Sequence, residues 1–208
     1  FRHDYIEATK LTNHDEDRTA HLLGRSPEKC KQAAAVMLTA PGEPYIYYGE
    51  ELGMYGNKSN GDEYVRAPMH WGDSYTTDYT DKIDHNAANN IATVNKQLED
   101  KNSILNTYLT FTRLRNTYPA LAEGTMSKHA IYNESNNNYK SIAAWYMTKE
   151  NEKLLVIHNF GSTTTTLTLT DKIDKAIAVL GQAEEKKEEN QTSLKLEKYS
   201  SVVYKLAE

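Results

Sequence analysis

The sequence has 208 residues, which is enough for one large domain or two small ones. Charged residues make up 25% and hydrophobic residues 38%, so the chain has enough apolar material for a core and is not expected to be disordered. A net charge of -5 without a basic cluster argues against a nucleic-acid-binding protein. No apolar run approaches the length of a membrane-spanning helix.

The N-terminus and the cysteine content bear on processing and compartment. Cys30 is the only cysteine, so no disulfide can form within the chain, which fits a reducing compartment without excluding an exported protein. The chain begins at Phe1 and shows no charged segment followed by an apolar one, as a signal peptide would. We therefore expect a fragment of a longer protein, from which the natural start, together with any targeting signal, has been removed.

The first 50 residues predict a strand, a helix and a second strand. A short strand is expected around 8–11. The Ser-Pro-Glu segment at 26–28 is typical of a helix start, and the apolar stretch 33–38 continues that helix. The aromatic and β-branched run at 44–48 predicts the second strand. This order predicts a βαβ unit in a parallel sheet.

The middle of the chain is less regular. Residues 53–90 are rich in Gly, Asn, Asp and Thr and predict a long, ordered loop, because loops of this length in compact domains are usually functional or disordered and this one carries several aromatic residues. Helical spacing of apolar residues predicts a helix over 103–116, which Pro119 prevents from continuing.

After residue 121 the pattern changes to short strands separated by turn signals, as in an antiparallel β-sandwich. The charge run at 184–190 indicates a solvated hairpin tip. The six predicted strands are 141–148, 153–160, 163–170, 176–180, 192–196 and 200–206.

The expected domains are therefore 1–121 and 122–208. Two parallel strands are too few for a buried sheet, so residues 1–121 are expected to be the end of a larger α/β domain. Residues 122–208 are expected to form the β-sandwich.

The segment Asn13-His14-Asp15 places an imidazole and a carboxylate after the first predicted strand. In a barrel of parallel strands, the C-terminal end of a strand lies on the catalytic face. The alternative is an Asx turn or a helix cap, which Asn and Asp favour and which is the commoner role of such a triplet on its own.

Two further segments carry polar side chains. Glu50 and Glu51 follow the second predicted strand, and we expect their carboxylates to hold the loop. Asp62 and Arg66 are four residues apart, so they can pair with each other and hydrogen-bond a polyol. The alternative for this pair is an exposed salt bridge of little energetic value. The segment 114–121 is interpreted as structural, and so are His129 and His158.

Together, in this order and spacing, these segments resemble the α-amylase superfamily of glycoside hydrolases (family 13). The Asn-His-Asp loop is similar to the motif after the seventh barrel strand, and 42–51 is similar to the eighth strand. The Arg-x-Pro-Met-x-Trp pattern at 66–71 recurs in the family. The stretches 13–18 and 62–66 look most like the starch-utilisation α-amylases of gut Bacteroidetes. Lys10 departs from the pattern, since many members have an aromatic residue there.

The resemblance implies a fold of the α/β plus all-β class: the last two strands and helices of a (β/α)8 barrel, followed by an antiparallel C-terminal β-sandwich. It also implies a retaining hydrolase of α-1,4-glucosidic bonds in starch or maltooligosaccharides. Such enzymes use a nucleophile and an acid/base carboxyl group about 5 Å apart. An extracytoplasmic or cell-surface location is suggested by the resemblance only.

By motif match, Asp15 is a third carboxylate that stabilises the transition state, and His14 donates a hydrogen bond to the same sugar. Asp62 and Arg66 resemble a pair that binds the next sugar on the non-reducing side. The family's nucleophile and acid/base precede this segment, and no Gly-x-Arg-x-Asp nucleophile motif occurs in the chain. We therefore expect no hydrolysis by the chain alone.

The expected partners are an α-glucan or maltooligosaccharide substrate and the missing N-terminal barrel segment. An incomplete barrel also exposes strand edges, so self-association is an expectation. No metal site and no cofactor are expected in this chain, although the resemblance allows calcium in the full-length protein. The alternatives left open are a non-catalytic carbohydrate-binding or interaction module and a fragment of a related α-glucosidase or transglycosylase.

Overall fold

The computed structural model describes residues 6–72, 91–131 and 139–207. The chain divides into two compact units. The first comprises residues 1–37 and 43–110, and the second comprises residues 38–42 and 111–208. The domain boundary expected near residue 122 stays a prediction.

The first unit contains the βαβ arrangement that the sequence predicts. Two short strands pair in parallel, with Thr9 opposite Pro44, and a long helix lies between them in the chain. Pro27 occupies the start of that helix, as the Ser-Pro-Glu segment indicated. The elements up to residue 65 are β1 (Ala8–Lys10), α1 (Thr19–Leu22), α2 (Pro27–Thr39), β2 (Glu43–Tyr45) and α3 (Asp62–Val65).

The second strand is shorter than predicted. β2 ends at Tyr45, and the expectation of a strand through residue 48 was wrong. Gly49 adopts a left-handed backbone with φ of +80° and begins a 3-10 turn over Glu50–Leu52. A Cβ on Gly49 would lie only 2.3 Å from the Met54 sulfur, so the turn requires glycine. Residues 46–48 therefore lie between the end of the strand and this turn.

The predicted long loop contains short helical segments. A 3-10 turn spans Lys58–Asn60 and is followed by α3, while residues 73–90 lie outside the described residues. Three helices follow: α4 (Val94–Glu99), α5 (Ile104–Thr117) and α6 (Pro119–Glu123). The prediction for α5 is confirmed. Pro119 ends it and starts α6, because proline lacks the N–H that a helix interior needs but fits its first turn.

The second unit is the expected antiparallel sandwich. The strands pair in the orders β3-β4-β5-β10-β7 and β6-β9-β8. Buried side chains from both sheets form one core that includes Leu155, Leu167, Leu194 and Tyr204. The strands are β3 (Thr125–Lys128), β4 (Ile142–Lys149), β5 (Glu152–Asn159), β6 (Thr165–Leu169), β7 (Ile173–Leu180), β8 (Ala183–Lys187), β9 (Thr192–Leu196) and β10 (Ser201–Leu206).

The charge run at 184–190 was wrongly predicted to be only a hairpin tip. Most of it forms β8, and the tip itself is short, with the Glu188 amide donating to the Gln191 carbonyl at 2.8 Å. β8 lies at the edge of its sheet, where charged side chains stay solvated. β3 was also not predicted, because all four of its residues are exposed and show no alternation.

Arg115 supports the structural interpretation of the segment 114–121. Its guanidinium is buried and donates to the carbonyls of Leu38 at 3.1 Å and Ala40 at 2.9 Å. These carbonyls belong to the end of α2, where backbone acceptors lack partners within the helix. Arg115 therefore completes the C-terminal hydrogen bonding of α2.

His129 and His158 also have structural surroundings. His129 Nε2 lies 2.9 Å from an Asp171 carboxylate oxygen, and the Tyr146 hydroxyl donates to the other oxygen at 2.7 Å. His158 is fully buried in β5, and its ring nitrogens lie 2.7 Å from the Ser201 hydroxyl and 3.3 Å from the Thr39 hydroxyl.

We expect His158 to make stability depend on pH. Burial lowers its pKa from 6.5 to about 3, so between these values the unfolded chain binds a proton that the folded chain does not. Stability from this residue is full above pH 6.5 and falls as pH drops, by up to about 1.4 kcal/mol per pH unit. The free energy of unfolding, measured with urea across this pH range, should depend less steeply on pH in His158→Gln, whose side chain keeps a donor and an acceptor. Parallel curves for the two proteins would contradict this.

Candidate active site

The Asn-His-Asp loop is closed by its own hydrogen bonds. The Asp15 amide donates to the Asn13 side-chain oxygen at 2.8 Å, which is an Asx turn. The Thr12 hydroxyl donates to the Asp17 carbonyl at 2.7 Å. The turn suggested as the alternative interpretation is therefore present, and it presents the side chains of His14 and Asp15 to solvent.

Lys10, the residue that departs from the pattern of the resemblance, is the last residue of β1. Its ammonium pairs with the Glu16 carboxylate at 2.8 Å, and both side chains are substantially exposed. This ion pair belongs to the loop and involves none of the predicted site residues.

Arg66 brings the four predicted site residues together. One of its terminal nitrogens lies 2.8 Å from Asp15 Oδ1 and 2.8 Å from Asp62 Oδ2. Its Nε donates to the His14 carbonyl oxygen at 3.1 Å. Two segments about 50 residues apart in the chain therefore meet at one guanidinium.

The second oxygen of Asp15 faces its neighbour. Asp15 Oδ2 lies 3.1 Å from His14 Nε2, so each carboxylate oxygen has a different polar contact. The His14 and Asp15 side chains are 63% and 60% exposed in this chain. Both remain accessible to a ligand on this face.

Lys58 also belongs to this group, and the sequence motifs did not identify it. Its ammonium donates to Asp62 Oδ1 and lies 3.6 Å from Asp15 Oδ1. Its backbone amide donates to Asp17 Oδ1 at 2.6 Å, which joins the 3-10 turn to the Asn-His-Asp loop. The available signal was the spacing of four residues between Lys58 and Asp62, which allows side chains on one helical turn to pair.

The cations hold Asp62 in its ionised form. Its pKa is lowered, first by the hydrogen bond from Lys58 and then by the charge of Arg66. A carboxylate in this state accepts hydrogen bonds from hydroxyl groups and does not donate them. The group therefore suits recognition of a polyol better than proton donation at this position.

The buried Arg18 side chain links the residues after the Asn-His-Asp loop to α3 and to the segment after β2. The Arg18 side chain is 1% exposed, its Nε donates to the Val65 carbonyl at 2.9 Å, and another nitrogen donates to the Tyr48 carbonyl at 2.8 Å. Its guanidinium lies 4.6 Å and 4.9 Å from the ring centres of Tyr47 and Tyr48. Burial lowers its pKa. Arg18 was not predicted from the sequence.

The backbone of α3 is held close to the segment before it. Tyr47 and Tyr48 donate through their hydroxyls to the carbonyls of Val65 and Ala67, at 3.1 Å and 2.9 Å. A Cβ on Gly56 would lie 2.0 Å from the Tyr64 carbonyl oxygen, so only glycine fits there. These contacts fix the helix that carries Asp62 and leads into Arg66.

Glu50 lies in the interior, away from solvent. Its carboxylate accepts hydrogen bonds from the Tyr108 hydroxyl at 2.6 Å and the Thr19 hydroxyl at 3.1 Å, and burial raises its pKa. Burial also raises the pKa of Glu51. The contacts of Glu50 support the structural role that was predicted for it, and the same role for Glu51 stays a prediction.

Neither a metal-binding cluster nor a membrane-crossing helix is found in the part of the chain that the structure describes. Across residues 6–72, 91–131 and 139–207, no three His, Cys, Asp or Glu side chains are grouped so that they could hold a metal ion. In the same ranges, no helix is long and apolar enough to cross a membrane.

Two family descriptions match this chain. Residues 1–124 match the family described as alpha amylase, catalytic domain. Residues 142–203 match the alpha-amylase SusG C-terminal domain. The first match includes the exposed polar group, which consists of His14, Asp15, Lys58, Asp62 and Arg66. The second match lies within the β-sandwich.

Similar proteins include two bacterial α-amylases. The chain is 64% identical to alpha-amylase SusG of Bacteroides thetaiotaomicron, across 99% of this chain and 30% of that protein. It is 32% identical to alpha-amylase 3 of Dictyoglomus thermophilum, across 98% of this chain and 39% of that protein. The chain thus spans only 30% and 39% of the length of these two relatives.

A solved structure supports the same fold. The α-amylase from H. orenii superposes with a TM-score of 0.84 at 25% sequence identity. The match covers 99% of this chain and 41% of that chain. The expected combination of a partial barrel and a β-sandwich is therefore confirmed.

Proposed function

Because this chain belongs to the α-amylase family of glycoside hydrolases, we propose that it forms part of an enzyme that cleaves α-1,4-glucosidic bonds in starch or maltooligosaccharides. The names of its relatives support an α-glucan as substrate, but the chain spans less than half of their length. The proposal therefore concerns the longer protein, to which this chain contributes one part of the substrate-binding face.

The contact of Arg66 with both Asp15 and Asp62 is the observation that carries the proposal. It joins the two predicted segments into one exposed group of charges. In the proposed reaction, positive charge develops on the sugar ring in an oxocarbenium-like transition state. The Asp15 carboxylate is fixed in place by Arg66, and a fixed negative charge stabilises that state more than it stabilises the neutral substrate.

The remaining site residues have proposed binding roles. His14 lies beside Asp15 Oδ2 and donates a hydrogen bond to the same sugar. Asp62 and Arg66 bind hydroxyls of the next sugar on the non-reducing side, because an ionised carboxylate accepts and a guanidinium donates. Both residues are partly exposed, which leaves their outer faces available for such contacts.

We propose that this chain alone does not hydrolyse α-glucans. Its sequence contains no Gly-x-Arg-x-Asp segment, which carries the nucleophile in the family it resembles. Catalytic groups that act as a unit lose nearly all rate enhancement when members are missing. The proposed partner is the N-terminal barrel segment, and no cofactor is assigned to this chain. Calcium is a proposal for the full-length protein only.

Exposed apolar side chains near the ends of β1 and β2 are consistent with such a partner. Ile6 and Tyr45 are 70% and 60% exposed, and Ile46 is also exposed. Apolar surface of this kind commonly marks an interface. We propose that it contacts the rest of the barrel and that the isolated chain self-associates through it. Light scattering tests this, because a monodisperse monomer at high concentration would exclude self-association.

The decisive activity experiment compares the chain with a chimera. In the chimera, this chain replaces the segment that it matches in the Bacteroides thetaiotaomicron relative. Reducing-sugar release from maltoheptaose should equal the buffer blank for the chain and clearly exceed it for the chimera. Turnover by the chain alone that disappears in Asp15→Ala would disprove its inactivity. A folded but inactive chimera would disprove the proposed function.

The same experiment separates the alternatives. Chromatography of the products distinguishes hydrolysis, which gives only shorter saccharides, from transglycosylation, which also gives longer ones. Glucan binding by the chain, together with a folded chimera that shows no turnover, would instead favour a carbohydrate-binding module.

A further inference from the structure

Lys58 occupies a central position in the exposed polar group. Its ammonium donates to Asp62 and lies 3.6 Å from Asp15 Oδ1, while Arg66 contacts the same two carboxylates. Two cations and two anions therefore alternate, and each carboxylate faces both cations. The formal charge of these four side chains sums to zero.

We propose that Lys58 is a positioning residue for the reaction, whose ammonium holds the Asp15 and Asp62 carboxylates side by side for substrate. This inference rests on the proposed function, because it assigns Lys58 a task at that same site. Lys58 acts through the two carboxylates, and no step of bond cleavage is assigned to it.

Two hydrogen bonds hold the backbone around Lys58 in place. Its amide donates to Asp17 Oδ1 at 2.6 Å, and the Asn57 side chain caps the 3-10 turn by accepting from the Ser59 amide at 2.8 Å. The first bond ties the 3-10 turn to the Asn-His-Asp loop, and the second stabilises the turn itself. The turn therefore delivers the ammonium to a defined place, although a lysine side chain by itself has considerable rotational freedom.

The side chain of Lys58 is also the least exposed of the group. It is 32% exposed, compared with 60% for Asp15 and 51% for Asp62. Lys58 is therefore the most covered side chain of the exposed polar group, whereas both carboxylates keep more than half of their surface accessible to a ligand.

Charge balance explains why a second cation is needed. Without Lys58, Arg66 would be the one permanently charged cation described beside both Asp15 and Asp62, and like charges at close range repel. That repulsion is reduced either by rotation of one carboxylate or by uptake of a proton. Either outcome removes an ionised acceptor from the position that a sugar hydroxyl would use.

Among the described residues, three side chains with a charged or titratable group interact with both carboxylates. Asp62 interacts with Lys58, Arg66 and His14, and Asp15 interacts with the same three residues. The hydrogen bond from Lys58 is the largest cause of the lowered pKa of Asp62. Removing the ammonium should therefore raise this pKa, so that protonation begins at a higher pH.

The first test uses the chain itself and does not depend on activity. Carboxyl carbon NMR titrations would follow Asp15 and Asp62 in the unsubstituted chain, Lys58→Met and Lys58→Arg. The matched control is Lys10→Met, which removes a lysine that pairs with Glu16 instead. We expect the Asp62 midpoint to rise in Lys58→Met only.

The second test measures catalysis in the chimera described above. Lys58→Met should lower kcat/KM by roughly fivefold near neutral pH and move the acidic limb of the pH profile to higher pH. Lys58→Arg should restore the profile because it keeps the charge, and Lys10→Met should not change it. A merely structural role would lower the melting temperature without moving the acidic limb.

The outcomes separate the two proposals. Unchanged Asp62 titration and an unchanged acidic limb in Lys58→Met would overturn the role of Lys58. If the unsubstituted chimera folds but is inactive, the proposed function fails. In that case the carboxyl titrations alone decide whether Lys58 organises the two carboxylates.

Discussion

Replacing Asp15 by asparagine in the chimera should lower kcat by about a thousandfold or more, with a much smaller change in KM. Asparagine has nearly the same shape but carries no charge, so it cannot stabilise the positive charge that develops on the sugar ring in the proposed reaction. An interaction that is stronger in the transition state than in the bound substrate mainly affects kcat. Steady-state kinetics with maltoheptaose would measure both constants.

The matched control for Asp15→Asn is Glu16→Gln. Glu16 belongs to the same loop and loses its charge equally, but it pairs with Lys10 and has no contact with Arg66 among those described. We expect Glu16→Gln to retain nearly full activity. Equal losses in the two variants would show that the loop responds to any loss of charge and would remove the assigned role from Asp15.

The second large effect concerns stability. Arg18→Met should lower the free energy of unfolding of the chain by about 3 kcal/mol or more. Methionine can fill much of the space, but the Tyr48 carbonyl would lose its Arg18 donor and the Val65 carbonyl would keep only the Tyr47 hydroxyl. Buried acceptors without a partner are costly because they also lose water. Urea unfolding of the chain followed by fluorescence would measure the loss.

Arg25→Met is the control for this variant. The Arg25 guanidinium lies 3.7 Å from the centre of the Tyr55 ring, but its side chain is exposed. Its loss should cost less than about 1 kcal/mol. A similar loss for Arg18→Met and Arg25→Met would mean that the buried hydrogen bonds of Arg18 contribute little.

Local patterns in the sequence were sufficient to predict most of the fold. The parallel pair β1 and β2, the helix between them and six strands of the sandwich follow from residue alternation, helix-start signals and apolar runs. The α3 and α4 helices were missed because four and six residues are too short to show a helical period. β8 was missed because its charged residues resemble a loop.

The candidate site was predicted less completely than the fold. Family motifs pointed to His14, Asp15, Asp62 and Arg66, and the structure brings these side chains together. Arg18 was not predicted because its contacts join segments that are distant in the chain. Lys58 was missed because its only local signal is a spacing of four residues from Asp62, and such a spacing is common. The Arg18 contact with Val65 spans 47 residues, and no local pattern encodes such a distance.

The edge position of β8 affects whether a strand of another molecule can pair with this sheet. Among the described strands, β8 pairs with β9 alone, so its other edge carries open backbone donors and acceptors. Residues 184–187 are charged and exposed along it. An incoming strand would have to desolvate these charges, which opposes amyloid-like growth from this edge. High salt screens charges, so it should weaken this protection and speed up any fibre formation that starts there.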